Sequence, residues 1–144
     1  MAVLKRIIGI VLIVIAAIVA IQTVLEPIYH TSTEESPHSS AWDYINWLSV
    51  ISIIVGVIFG YIRMSRAGAD SSVQEFIAAN TMFYGFMFVA IIFLWNWFGI
   101  SDVGSDFTAV GHNTRSLVWI LFDATLPLLN GAMGMHLIRS SASE

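Results

Sequence analysis

Four long apolar runs separated by polar segments set the pattern of this chain. They cover about 3–25 ("VLKRIIGIVLIVIAAIVAIQTVL"), 44–64 ("YINWLSVISIIVGVIFGYIRM"), 74–98 ("QEFIAANTMFYGFMFVAIIFLWNWF") and 116–138 ("SLVWILFDATLPLLNGAMGMHLI"). A helix rises about 1.5 Å per residue, so roughly 20 mainly apolar residues cross about 30 Å of hydrocarbon. No run alternates apolar and polar with the period of two that a barrel strand requires. The pattern predicts an all-α integral membrane protein, a single four-transmembrane-helix bundle over 1–144. The first run follows Lys5 and Arg6 as a secretory signal would, but its apolar core is longer than the roughly 7–15 residues of such a signal. It is read as a true span.

The polar segments predict orientation and turns. Lys5 and Arg6 lie at the start of span one, Arg63 and Arg66 lie where spans two and three are joined, and Arg139 follows span four; Arg115 falls at the opposite end. Basic residues collect on the cytoplasmic side, which predicts a chain with both termini inside, in a prokaryotic plasma membrane. Residues 26–43 and 99–115 are then outer loops, and 65–73, "SRAGADSSV", is a tight inner turn in which Asp70 or Ser71 caps the third helix.

Composition narrows the class further. The chain has 144 residues, 57% hydrophobic and 11% charged, with net charge −4 and no cysteine. A soluble domain carries about a quarter charged residues. The absence of cysteine excludes a disulfide framework, thiolate metal sites and thiol catalysis. No Gly-rich phosphate loop, HExxH or nucleophile elbow occurs. No cofactor is required by these residues, and the few basic residues give nucleic acid no footing.

Span four interrupts the apolar pattern with chemistry. At 100° per residue, Ser116, Asp123, Pro127, Asn130 and Gly134 share a stripe within about 60°. A carboxyl inside a span costs about 2.5–3.5 kcal/mol on insertion scales and ordinarily faces protein. Pro127 lacks an N–H, so the carbonyl of Asp123 loses its helical partner and a kink is expected. Matching depth across the spans sets Asp123 near Ser49 and Ser52 and sets Asn130 level with Tyr84. These five form a predicted intramembrane polar site. No cation of the chain shares that depth, which favours the neutral acid. Structural packing is the favoured role, ahead of pairing with another subunit, ion transport or metal binding.

Further residues have bland readings that outweigh sharper ones. Gly56 and Gly60 form a GxxxG that lets backbones approach, within the chain or between chains; Pro127, Gly131 and Gly134 complete the predicted packing set. The tryptophans Trp42, Trp47, Trp95, Trp97 and Trp119 gather at one end, as an interfacial belt does. The loops at that end carry His30, Glu34, Glu35, His38, Asp43, Asp102, Asp106 and His112. Histidine with carboxylate suits zinc or copper, yet the spacing matches no known ligand pattern, so His30, His38 and His112 are weak metal candidates beside a solvated acidic surface. The expectation is a non-catalytic accessory subunit of a larger membrane complex of respiratory, photosynthetic or monooxygenase type, with lipid and other membrane subunits as partners. The alternative is a small oligomeric ion or proton transporter or channel that uses Asp123.

Overall fold

The computed structural model describes residues 2–33, 36, 38–100 and 112–143, with the side chains of 98–100 and 112–115 outside that description. Four helices follow in order: α1 (Ala2–Tyr29), α2 (Ala41–Arg66), α3 (Val73–Ile100) and α4 (His112–Ala142). Each contains a stretch long and apolar enough to cross a membrane. Lys5, Arg63, Arg66 and Arg139 lie at one end of the bundle, called here the basic end; the opposite, tryptophan end carries the 26–43 segment.

The helices outrun the apolar runs, and the local chemistry shows why. α1 continues through Pro27 to Tyr29, so Glu26, expected in a loop, is helical. Its carboxylate accepts the Ser39 backbone N–H at 2.7 Å and the Ser39 hydroxyl at 2.8 Å. The end of α1 is thereby tied to the start of α2. α2 begins at Ala41 and so includes Trp42 and Asp43, with Asp43 in the first turn, where a carboxylate complements the helix dipole. At the basic end, Ser72 caps α3, in place of the expected Asp70 or Ser71. Its hydroxyl accepts the Glu75 N–H at 3.2 Å. The α2–α3 turn is closed by Arg63, whose Nε and Nη2 each donate to Glu75 at 2.8 Å, the two-point geometry that makes an arginine–carboxylate pair strong. α4 is likewise one helix that carries Pro127 in its interior.

Around the bundle the helices stand in chain order. α1 packs most extensively on α4, α2 on α3, and α2 also meets α4 across the centre. Glycines make the two main interfaces. A Cβ on Gly134 would lie 2.6 Å from the Gly9 carbonyl oxygen, and one on Gly9 would lie 2.7 Å from that of Gly134. Backbone therefore meets backbone between α1 and α4. The GxxxG of α2 serves an intrachain contact: the Phe86 ring covers Gly56, and a Cβ on Gly60 would meet Phe83 Cα at 3.2 Å. Gly131 has no neighbour within 4 Å of such a Cβ, so it takes no part in the packing set where it was expected. Small residues let helices approach in this way where lipid offers no hydrophobic drive.

The core fills the centre with Leu12, Ile53, Phe86, Val89, Phe93, Phe122, Leu126, Met133 and Leu137. A second cluster of Ile15, Val19, Trp42 and Ile45 joins α1 to α2 nearer the tryptophan end. The tryptophans divide accordingly. Trp42 is buried, and Trp119 sets its ring edge-on to Phe93 and Phe122 at 5.9 and 5.6 Å. Trp47 and Trp95 are exposed, as a belt requires.

Candidate functional site: a polar column along α4

Five polar side chains are buried among the described residues: Ser49, Ser52, Asn96, Asp123 and Asn130. Four of them belong to the predicted intramembrane site. The structure orders them differently from the depth estimate.

Asn130 Nδ2 donates to Ser52 Oγ at 3.0 Å. Ser52 Oγ in turn donates to the Ser49 carbonyl at 3.0 Å, and Ser49 Oγ donates to the Ile45 carbonyl at 3.0 Å. A short ladder thus crosses from α4 to α2 and then runs along α2 towards the tryptophan end. Asn130 takes the serine partner that depth matching had assigned to Asp123. The shift follows from helix ends. Asn130 is the nineteenth residue of α4, whereas Ser52 is the twelfth of α2. Seven residues at about 1.5 Å each make α4 overhang α2 by about 10 Å at the tryptophan end. Asp123 consequently sits level with about Ile45, close to the end of α2 instead of beside the serines.

Tyr84 shows the opposite fault. Its depth agrees, since a Cβ on its neighbour Gly85 would meet Leu129 Cδ2 at 2.9 Å. Its direction does not. Tyr84 is 62% exposed and sets its ring against Phe83, centroids 5.2 Å apart, so it stands outside the polar column. Rotation is decided by the face α3 buries, which runs through Ala79, Phe86, Val89, Phe93 and Asn96.

Asp123 is buried, with 8% of its surface exposed, and its Oδ1 has no hydrogen-bond partner. Among the described residues no cation pairs with it, and the charge that acts on it through space is Glu26, another acid. Asn96, which sequence reasoning overlooked, is buried with both amide atoms unpartnered, and Asn130 Oδ1 is unpartnered as well. Its signal was the polar residue held between two tryptophans in "LWNWF". A second group also escaped notice. Gln22 donates to Glu26, Tyr29 and Ser39, and the Tyr29 hydroxyl donates to Glu26 at 2.8 Å, which builds a hydrogen-bonded clasp over the tryptophan end. Gln22 four residues before Glu26 in an otherwise apolar run was the available clue.

Two of the three weak metal candidates, His30 and His38, have described side chains. His30 Nε2 lies 3.1 Å from the Ser36 carbonyl and His38 Nδ1 3.4 Å from that of Ser39. Among the described residues no three His, Asp or Glu side chains are placed to hold an ion. Glu34, Glu35, Asp102, Asp106 and the side chain of His112 lie outside the described residues.

The chain is thus an all-helical bundle of four helices fit by length and composition to span a membrane, with a polar column on its α2–α4 seam. Against family models, curated proteins and solved structures alike, it has no match.

Proposed function

We propose that this chain spans a membrane four times, with the basic end and both termini cytoplasmic, as a non-catalytic subunit of a larger membrane complex. The observation that carries the reading is how the buried polar groups are used. Asn130, Ser52 and Ser49 bond to one another and to backbone, while fully buried Phe86, Phe122, Leu126 and Met133 fill the same interior. A core of that kind holds helices together. The exposed apolar residues on every helix, among them Ile10, Ile54, Ile91 and Leu128, supply surface for lipid and for neighbouring subunits.

Native mass spectrometry of the assembly, extracted gently from its own membrane, tests this directly. Different polypeptides in fixed ratio support the reading. A particle made of this chain alone overturns it.

One observation favours a second reading, a small ion or proton transporter: the unpartnered Oδ1 of Asp123 in a buried position. A buried acid without a partner is a recurrent element of ion pathways. Reconstituted vesicles that show flux lost on Asp123→Asn would support it, and vesicles without flux would remove it.

A further inference from the structure

At the basic end a recess opens between α1 and α4, and the glycines explain its place. Gly9 and Gly134 bring backbone against backbone, and Ile138 seats on Gly9, its Cγ1 2.8 Å from where a Cβ there would stand. α1 holds no second glycine to continue that contact towards its start. The recess, of about 270 Å³, is lined there by Ala2, Val3 and Arg6 of α1 and by Ile138, Ser141 and Ala142 of α4.

Its lining has a cationic part and an apolar part. Arg6 is exposed and makes no ion pair among the described residues, and the first turn of α1 contains no acid to neutralise it. The Ser141 hydroxyl donates to the Ile138 carbonyl at 2.7 Å, so the guanidinium is the side-chain donor left for a ligand. Lys5, Arg63, Arg66 and Arg139 stand at the same end against Asp70 and Glu75, and an excess of one charge draws the opposite one. The apolar part continues as a groove down the outer side of the seam, away from Leu12 and Met133 of the core. Ile10 and Met135 flank it and are exposed. Gly131 lies on that side, about 60° around α4 from Gly134, and has nothing within 4 Å of a Cβ.

The depths of the two parts match the two parts of a lipid. α1 has 28 residues, about 42 Å of helix against about 30 Å of hydrocarbon. Roughly four residues at each end therefore stand among headgroups, which sets the recess at the level of lipid phosphates. From Ser141 in to Gly131 the helix covers about 15 Å, half the hydrocarbon thickness and so the depth that one leaflet's chains reach.

We propose that the outer seam of α1 and α4 binds an anionic phospholipid, with its phosphate held by Arg6 in the recess and an acyl chain laid past Ile10 and Met135 onto Gly131. An arginine meets phosphate oxygens through two parallel N–H bonds, and basic pockets between membrane helices take anionic headgroups. A soluble anion uses the cation and leaves the groove bare. A zwitterionic lipid fills the groove but brings a cation of its own to the recess. The two parts together select an amphiphile with a net negative head. The inference rests on the reading of the helices as membrane spans, and it does not depend on other polypeptides being present.

The test takes the full-length chain in neutral detergent, adds phosphatidylglycerol or phosphatidylcholine of identical acyl chains, and counts bound lipid by native mass spectrometry. The first phosphatidylglycerol should bind at least several-fold more tightly than phosphatidylcholine. Arg6→Gln should bring it down to the level of phosphatidylcholine, whereas Arg66→Gln, at an exposed arginine of the same end on α2, should change little. Gly131→Leu fills the groove and should weaken both lipids several-fold. Equal binding of the two lipids by the unaltered chain overturns the proposal. So does an Arg6→Gln loss no greater than that of Arg66→Gln, which would mean diffuse attraction to the basic end. Unchanged binding by Gly131→Leu overturns the placement of the acyl chain, and displacement of the lipid by inorganic phosphate alone would mark a site for a soluble anion instead.

Lipid and polypeptide are weighed in the same spectra, which separates this inference from the proposed function. A complex of several polypeptides with no preference for the anionic lipid removes only the lipid site. A lone chain that holds the lipid removes only the accessory role.

Discussion

Asn130 and Asp123 occupy one stripe of α4, two turns apart, and the bundle treats them differently. Asn130 is fully buried and answered by Ser52 on the facing helix. Asp123 is almost as buried, but one carboxyl oxygen has no partner. The contrast comes from the stagger of the helices. Because α4 overhangs α2 by about 10 Å, the serines of α2 meet the deeper of the two residues. Asp123 instead comes level with the first turns of α2, where Trp42 and Ile45 offer apolar surface. A polar residue on the correct face is thus not enough. It must also fall at the height of a partner, and a shift of two turns separates a helix-locking contact from an unanswered acid.

The largest effect should come from parting the helix that carries both residues from α1. Gly134→Val puts side-chain atoms where a Cβ already meets the Gly9 carbonyl oxygen at 2.6 Å. Backbone cannot yield as a flexible side chain does, so a loss of about 1–3 kcal/mol is expected, measured by reversible unfolding in mixed micelles. No loss would mean that α1 and α4 do not meet at this pair.

Asn130→Ala comes next. It removes the rung between α4 and α2 and takes the donor from Ser52 Oγ. About 1 kcal/mol is expected from such a bond, within the range of polar contacts between membrane helices. If Ser52→Ala in the Asn130→Ala background costs as much as it does alone, the two are not coupled and the ladder is not a unit.

Glu26→Gln acts locally. The carboxylate holds Ser39 by two bonds and receives donors from Gln22 and Tyr29. Loss of its charge weakens all four. Hydrogen exchange at Ser39 and the first turn of α2 should quicken, with little change in global unfolding. Unchanged exchange there would show that the clasp does not hold the segment.

Asp123→Asn should be the mildest, below the roughly 1 kcal/mol expected of the Asn130 bond. The amide matches the acid in shape, and among the described residues no ion pair is broken. A large loss would mean that the carboxyl is met by a cation from another polypeptide or from solution, and would move Asp123 from packing to binding.

Much of this molecule was legible in the order of its residues, for reasons tied to particular positions. The four helices followed from apolar runs of sufficient length. The polar stripe on α4 followed from spacing, since 100° per residue is a property of any helix. The burial of Asp123, Asn130, Ser49 and Ser52 followed from the aversion of such groups to hydrocarbon. The ends were less legible. α1 outlasts Pro27 because Glu26 finds Ser39 thirteen residues further on, a contact no local rule contains. Asn96 passed as part of a tryptophan-rich helix end, although it is buried with no partner for its amide.

Periodicity and length, then, settled that there are four long helices and which face of α4 is polar, because both depend on geometry within a single helix. Only the tertiary structure decided who meets whom. Heights between helices depend on where each one starts and how glycine pairs such as Gly9 and Gly134 let backbones interlock. Tyr84 has the depth of Asn130 but the wrong rotation, while Ser52 has both the depth and the rotation. That difference arises from the packing of three helices at once, and no single run of sequence encodes it.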